Sequence, residues 1–197
     1  MARPVDSEKP LPQAASGVGR GVVTIAPASA SASTGIAVLS CSDGLAIGEL
    51  DGVCIVVWRG EVTLERFRRQ RAALLGMFAR HPEGVGLLCV IERNVAPPDE
   101  YFRRASAEMI DSFGSRLCGV LCVIEDEGFR GSVTRSVLSG MALLLRSRAP
   151  ARKFSSSVAS GSTWLVGQCP ATTARRLLLA THELKLRLTE SMSPVRS

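Results

Sequence analysis

Aromatic side chains are scarce in this sequence of 197 residues: they make up 5% of it and include a single Tyr. So few rings leave no platform on which unpaired bases could stack, which argues against that kind of nucleic-acid binding. Long apolar runs are missing too, because stretches such as residues 143–145 fall far short of the roughly 18 that a membrane-spanning helix needs. With 46% hydrophobic and 21% charged residues, the composition predicts one globular domain without a membrane partner.

Motifs for metal binding and catalysis are absent as well. Only two histidines occur, His81 and His182, and neither lies beside a cysteine or an acidic cluster, which disfavours a zinc site. The sequence holds no Gly-x-Ser-x-Gly elbow, no P-loop and no Gly-x-Gly-x-x-Gly motif after a strand. We therefore expect no metal, no cofactor and no enzyme activity, with a small enzyme of unfamiliar site as an alternative.

Six cysteines are present, and none form a Cys-x-x-Cys pair. They are Cys41, Cys54, Cys89, Cys118, Cys122 and Cys169. The closest two, Cys118 and Cys122, are expected on one face of a strand about 13 Å apart, too far for a disulfide or a shared metal. We interpret all six as small buried hydrophobic residues in a reducing cytosol. The first ten residues lack the apolar stretch of a signal peptide, so a cytoplasmic protein is expected.

Lysine is rare: of the 24 basic residues 21 are Arg, and the net charge is +6. This skew, with abundant Ala, Gly and Val, is typical of a GC-rich genome, so the basicity favours a codon-usage background over a nucleic-acid partner. The arginines nevertheless concentrate on two predicted helices, with Arg66 and Arg69 on the first and Arg175 and Arg176 on the last. Binding of nucleic acid or another polyanion by this basic surface is the alternative to a solvated helix face.

The first 34 residues contain 19 Ala, Ser, Gly or Pro. Such a segment has too little apolar surface to offset the entropy of ordering it, so we predict a disordered tail. The predicted organisation is this tail over residues 1–34, an α/β domain over residues 35–168, and a C-terminal helix and tail over residues 169–197.

A hairpin opens the predicted domain. Asp51 and Gly52 separate two β-favouring runs, residues 45–50 and 53–59, and this dipeptide accepts the positive φ angles of a type I′ turn. A short strand over residues 36–39 is expected to precede it.

Alternating helix and strand patterns follow the hairpin. Thr63 is expected to cap a helix over residues 63–80, whose apolar positions are Leu64, Phe67, Leu74 and Phe78, with Arg71 completing the spacing. A continuous apolar run over residues 84–92 predicts a buried strand. A second helix begins near residues 96–99, and its predicted buried face consists of Phe102, Met109, Ile110 and Phe113.

The strand–helix pattern then repeats, with a strand over residues 119–125 and a helix over residues 129–146. A weak strand over residues 154–158, a short helix over residues 161–168 and a long helix over residues 172–190 complete the chain. Successive strand–helix units indicate parallel strands joined by right-handed crossovers. We therefore predict an α/β fold with a mixed β-sheet, an N-terminal hairpin and an extra C-terminal helix.

Three segments carry a family resemblance. The run Asp-Gly-Val-Cys-Ile-Val-Val-Trp-Arg-Gly-Glu-Val-Thr over residues 51–63 resembles the opening of STAS domains, the fold of bacterial anti-sigma factor antagonists. Residues 129–140 are similar to the helix after the fourth strand there, and residues 154–165 to the closing strand and helix. The resemblance covers roughly residues 45–168, and it implies a STAS-like, non-catalytic regulatory or scaffolding module that binds a protein partner in bacterial signalling.

The chain departs from the family at the phosphorylation site. Family members that act as phosphorylation switches carry Asp-Ser-Ser-Gly or Asp-Ser-Thr-Gly after the third strand. The corresponding residues 92–99 contain no hydroxyl group. The resemblance therefore implies protein docking without that phosphoacceptor.

The predicted partner-binding rim lies beyond the carboxyl ends of the parallel strands, where ligands of open α/β sheets gather. Its residues are Arg93, Asn94, Glu125, Phe129 and Arg130, with the arginines reaching toward an anionic group. The alternative is that the acids complement a helix dipole and pair with the arginines.

The last predicted helix carries leucines on more than one side. They are Leu177, Leu178, Leu179, Leu184, Leu186 and Leu188. Either this helix wraps the domain, or part of it forms a homodimer seam.

Overall fold

The computed structural model describes residues 34–42, 44–93, 95–96, 99–125 and 150–192. These residues form a six-stranded mixed sheet in which the order of the strands follows the order of the chain. The strands are β1 (Ala37–Ser42), β2 (Leu45–Leu50), β3 (Val53–Trp58), β4 (Val85–Ile91), β5 (Leu117–Ile124) and β6 (Arg152–Ser155). The helices are α1 (Leu64–Arg80), α2 (Glu100–Phe113), α3 (Val158–Gln168) and α4 (Ala174–Met192), and a 3-10 turn, Gly114–Arg116, follows α2. The predicted α/β fold with an N-terminal hairpin, strand–helix units and a C-terminal helix is confirmed.

Strand direction changes once across the sheet. β1, β2 and β3 are antiparallel, whereas β3, β4, β5 and β6 run parallel. The β2–β3 turn has φ of 48° at Asp51 and 74° at Gly52, the left-handed values that a type I′ turn requires. The parallel strands all end at one edge of the sheet, which we call the carboxyl edge.

Helix α1 begins where the sequence predicts, because the Thr63 hydroxyl accepts a hydrogen bond from the Arg66 amide at 3.4 Å. Its buried face differs from the prediction: Gln70 is 5% exposed, while Arg71 and Leu64 are exposed. Positions 70 and 71 both fit the helical spacing after Phe67. The guanidinium stays in water because burying an unpaired charge costs more than burying an amide.

Two helical layers cover the two faces of the sheet. α3 and α4 pack on one face, called the α3/α4 face, whose core includes Leu88, Leu121, Leu165 and Leu184. α1 and α2 pack on the other, called the α1/α2 face, whose core includes Ile47, Val56, Leu74, Met77, Leu87 and Phe113. Helix α4 thus wraps the domain with its inner side, where Leu177, Leu184 and Leu188 are fully buried.

A bulge in β5 separates two cysteines. Val85 pairs with Leu117 but Gly86 pairs with Gly119, so Cys118 is an extra residue and the alternation of faces reverses there. Cys118 packs against the core of the α3/α4 face, and Cys122 lines a cavity on the α1/α2 face. The prediction that these two share a face is therefore wrong. All six cysteines are free thiols.

Several predictions fall outside the described residues. They are the tail up to residue 33, the helix over residues 129–146, and the rim residues Asn94, Phe129 and Arg130. Among the helices of the described segments, none combines the length and the hydropathy that crossing a bilayer requires.

Candidate functional site

Three charged side chains stand side by side at the carboxyl edge. Arg59, Glu92 and Glu125 each follow the last residue of β3, β4 and β5, respectively. The ladder continues through them: the Glu92 amide donates to the Trp58 carbonyl and the Glu125 amide to the Ile91 carbonyl, each at 3.0 Å. The register of the parallel strands therefore lines up one cation and two carboxylates.

Helix α4 supplies a second cation to this group. Lys185 Nζ lies 2.5 and 2.6 Å from the two oxygens of Glu125 and 4.0 Å from Oε1 of Glu92. Arg59 donates two hydrogen bonds to the Glu92 carboxylate, from Nε to Oε2 at 2.5 Å and from Nη2 to Oε1 at 3.0 Å. This hydrogen bonding raises the pKa of Arg59. We call Arg59, Glu92, Glu125 and Lys185 the strand-end cluster.

The strand-end cluster is neutral, with two cations and two anions, and it is partly buried. Glu92 keeps only 14% of its side chain exposed. Arg59 also donates to Thr189 Oγ1 on α4 at 2.9 Å. Paired charges with charge-assisted hydrogen bonds offset the cost of desolvation, so the cluster fixes α4 to the ends of β3, β4 and β5.

The structure places two of the five predicted rim residues at this edge. Glu125 belongs to the strand-end cluster, where its carboxylate binds Lys185, and Arg93 is exposed in the turn after Glu92. The rim predicted from the sequence does not include Arg59 and Lys185. The sequence does carry a signal for the first, because Arg59 follows a predicted strand just as Glu92 and Glu125 do, but nothing local links Lys185 to that edge.

The four predicted basic residues lie far apart. Near the start of β2, Arg69 Nη1 donates to Ser42 Oγ at 2.6 Å and Arg66 donates to the Glu61 carbonyl, both on the α1/α2 face. At the other end of β2, Arg176 pairs with Asp51. That pair belongs to the α3/α4 face, where Arg175 is exposed. These residues do not form one continuous basic surface.

A second ion cluster lies at the opposite end of the sheet. Glu49 on β2 accepts a hydrogen bond from His81 Nε2 at 2.6 Å and pairs with Arg80. His81 Nδ1 lies 3.1 Å from Glu83. The hydrogen bond to Glu49 outweighs burial and raises the pKa of His81. Burial raises the pKa of Glu49, but hydrogen bonds from Arg80 and His81 outweigh it, so that pKa is lowered. This cluster ties the end of α1 to β2.

A cavity of about 170 Å³ lies between α1, α2 and strands β4 to β6. Its walls are mainly apolar, with Phe67, Leu87 and Phe154 among them. Cys89 and Cys122 are directly paired across β4 and β5 and both line it. A hydrogen bond with Cys89, together with burial, raises the pKa of Cys122, so this thiol stays protonated near neutral pH. Gln70 and Arg103 also line the cavity.

The outer side of α4 is the third notable feature. Its inner leucines are buried, whereas Leu178, Leu179 and Leu186 are 43%, 48% and 51% exposed. These residues flank His182, which is also exposed. The helix is therefore apolar on two sides, as the sequence predicts, and only one of them packs against the sheet.

No group of three or more His, Cys, Asp or Glu residues in the described segments is placed to hold a metal ion. Comparisons of this chain with protein-family models, with curated proteins and with solved structures gave no match. The resemblance to STAS domains accordingly stays a prediction.

Proposed function

We propose that this chain is a non-catalytic regulatory or scaffolding module that acts by protein contact and pairs with a second copy of itself through the outer side of α4. The observation that carries the proposal is the row of residues along that side. They are Arg175, Leu179, His182, Leu186 and Glu190, spaced four, three, four and four positions apart, and all are exposed. Such spacing keeps side chains on one stripe of a helix.

The ends of this stripe favour an antiparallel pair. A twofold axis midway between His182 and Glu183 sets Leu179 opposite the partner's Leu186, and Arg175 opposite the partner's Glu190. Neither Arg175 nor Glu190 has an ion-pair partner among the described residues, so both charges are available to a second copy. The same surface patch then serves both chains, as a twofold interface requires.

The size of the stripe predicts a weak pair. A stable dimer buries about 800 Å² on each partner, more than one helix stripe offers. We expect a reversible dimer with a dissociation constant in the micromolar range, which is typical of regulatory contacts. The STAS-like pattern over residues 45–168 supports the same assignment to bacterial signalling, since that family acts through protein contacts.

Sedimentation velocity on the full chain over a range of concentrations tests the proposal. We expect the sedimentation coefficient to rise with concentration, and the double variant Leu179→Asp with Leu186→Asp to remain monomeric. The matched control is Leu75→Asp, since Leu75 is an exposed leucine on α1 (41%) and its replacement should leave self-association unchanged. A wild-type chain that stays monomeric at several hundred micromolar would contradict the proposal.

A charge exchange tests the antiparallel arrangement. Arg175→Glu and Glu190→Arg should each weaken self-association, because each sets like charges opposite one another. Mixing the two variants in equal amounts should restore pairing, because every facing pair is then of opposite charge. If the mixture pairs no better than either variant alone, the antiparallel register is wrong.

A further inference from the structure

We infer that the cavity on the α1/α2 face binds a small molecule that has an apolar body and one carboxylate. The inference is independent of the proposed pairing through α4, since the cavity lies on the other face of the sheet. It depends on the size of the cavity, the polar groups in its lining and the sign of their charge.

The size of the cavity sets the size of the apolar body. A volume of about 170 Å³ is close to that of an engineered cavity of about 150 Å³ that takes up benzene. An aromatic ring with a short side chain therefore fits. Rings and aliphatic chains would contact Phe67, Leu87, Met109 and Phe154, all of which line the space.

Gln70 is a polar residue in the mainly apolar lining of this cavity. It is 5% exposed, it lines the cavity, and its amide has no hydrogen-bond partner among the described residues. The amide is not among the fully buried polar atoms that lack a partner, so it remains accessible from the cavity and can bind a ligand. A polar atom of a bound molecule would satisfy it, whereas a wholly apolar occupant would not.

Among the described residues, the charged groups in the lining are all basic. Arg103, Arg152 and Lys153 line the cavity, and its described lining contains no Asp or Glu. Arg152 donates through Nη2 to Asp111 at 2.7 Å, yet its buried Nε–H has no partner in the described structure. Arg103 forms no ion pair within the described segments. These donors favour an anionic group, and a carboxylate matches the planar guanidinium.

Isothermal titration calorimetry on the full chain tests this inference with 3-phenylpropanoate, 3-phenylpropan-1-ol and 3-phenylpropylamine as probes. The three share one apolar body and differ in the head group. We expect the carboxylate to bind about tenfold or more tightly than the alcohol, and the amine to give no heat. Octanoate distinguishes an aliphatic from an aromatic body, and acetate should not bind because it lacks one.

Three variants connect the binding to the cavity. Arg103→Gln should abolish the preference for the carboxylate over the alcohol, while Arg104→Gln should change nothing, since Arg104 is exposed and pairs with Glu100. Ala107→Phe should fill the space and remove binding of every probe. Circular dichroism and urea unfolding would establish that each variant folds.

Two results would overturn the inference. Equal binding of the three phenylpropyl probes, or a carboxylate preference that survives Arg103→Gln, would show that no anion site exists. No heat with any probe at millimolar concentration would show that the protein's own groups or water occupy the cavity.

Discussion

The two faces of one sheet are packed in different ways. On the α3/α4 face the helices approach so closely that a methyl group on Gly161 would lie 2.7 Å from Leu121 Cδ1, and one on Gly48 would lie 3.1 Å from Leu184 Cδ1. On the α1/α2 face the same strands border a cavity of about 170 Å³. Close packing on the α3/α4 face stabilises the fold. The cavity on the α1/α2 face leaves space in which a ligand can bind.

Neighbouring leucines on β4 offer the most direct way to break this contrast. Leu88 faces the α3/α4 core and Leu87 faces the cavity, and both are almost fully buried. Leu88→Ala should lower the free energy of unfolding by about 3–5 kcal/mol and Leu87→Ala by about 2–3 kcal/mol, because a side chain beside a cavity loses fewer contacts. Urea unfolding measures both. An equal or larger cost at Leu87 would mean that the two faces are equally well packed.

Two glycines on α3 sharpen the comparison at closer range. Gly161→Ala should destabilise the protein by about 1–3 kcal/mol, since the new methyl group meets the fully buried Leu121. Gly167→Ala on the same helix meets nothing within 4 Å. It should stabilise the protein by up to about 1 kcal/mol through helix propensity. Thermal unfolding reports both signs, and a stabilising Gly161→Ala would show that the α3/α4 face has spare room.

The ion clusters that hold the two layers should differ in their response to pH. His81 has a raised pKa when folded, so its contribution is complete below about 6.5 and is lost as the pH rises through the folded value. Glu49 has a lowered pKa, so its contribution is present above the unfolded value and is lost as the pH falls through the folded one. The pair therefore stabilises the fold at pH values between the pKa of Glu49 and the pKa of His81 in the folded protein.

Unfolding of His81→Gln against the wild type at pH 5.5 and pH 8.5 measures this effect. The variant should lose about 1 kcal/mol at the lower pH and less at the higher one. Lys185→Gln is the control from the strand-end cluster, which contains no histidine, and its cost should be the same at both pH values. A cost at His81 that does not change with pH would exclude the charged pair.

Much of the fold follows from local patterns. The Asp51-Gly52 turn, the Thr63 cap and the apolar run of β4 are each determined by neighbouring residues, so the sequence predicts them correctly. The bulge at Cys118 could not be predicted, because it depends on how β5 pairs with β4. Gln70 and Arg71 are equally compatible with the helical period, and only packing decides which one is buried.

The site was harder to predict than the fold. Arg59, Glu92 and Glu125 could be aligned from the ends of their strands, but Lys185 reaches them from a helix 60 positions after Glu125. The cavity has no sequence signal apart from an amide in an apolar stripe. Its basic lining comes from α2 and β6, which are distant in the chain.

The strand order has a consequence for how the protein is made. Because each strand joins the edge of the one before it, the sheet can grow in the order of synthesis. Its α3/α4 face cannot be covered in that order: Thr34 bonds to Glu183 across 149 positions, and Ile36 and Leu184 belong to one buried cluster. During synthesis, the apolar side chains of β1 to β3 on that face therefore stay exposed to water until residues 174–192 have been made and can pack on them. During this interval the exposed apolar surface makes the nascent chain prone to aggregation.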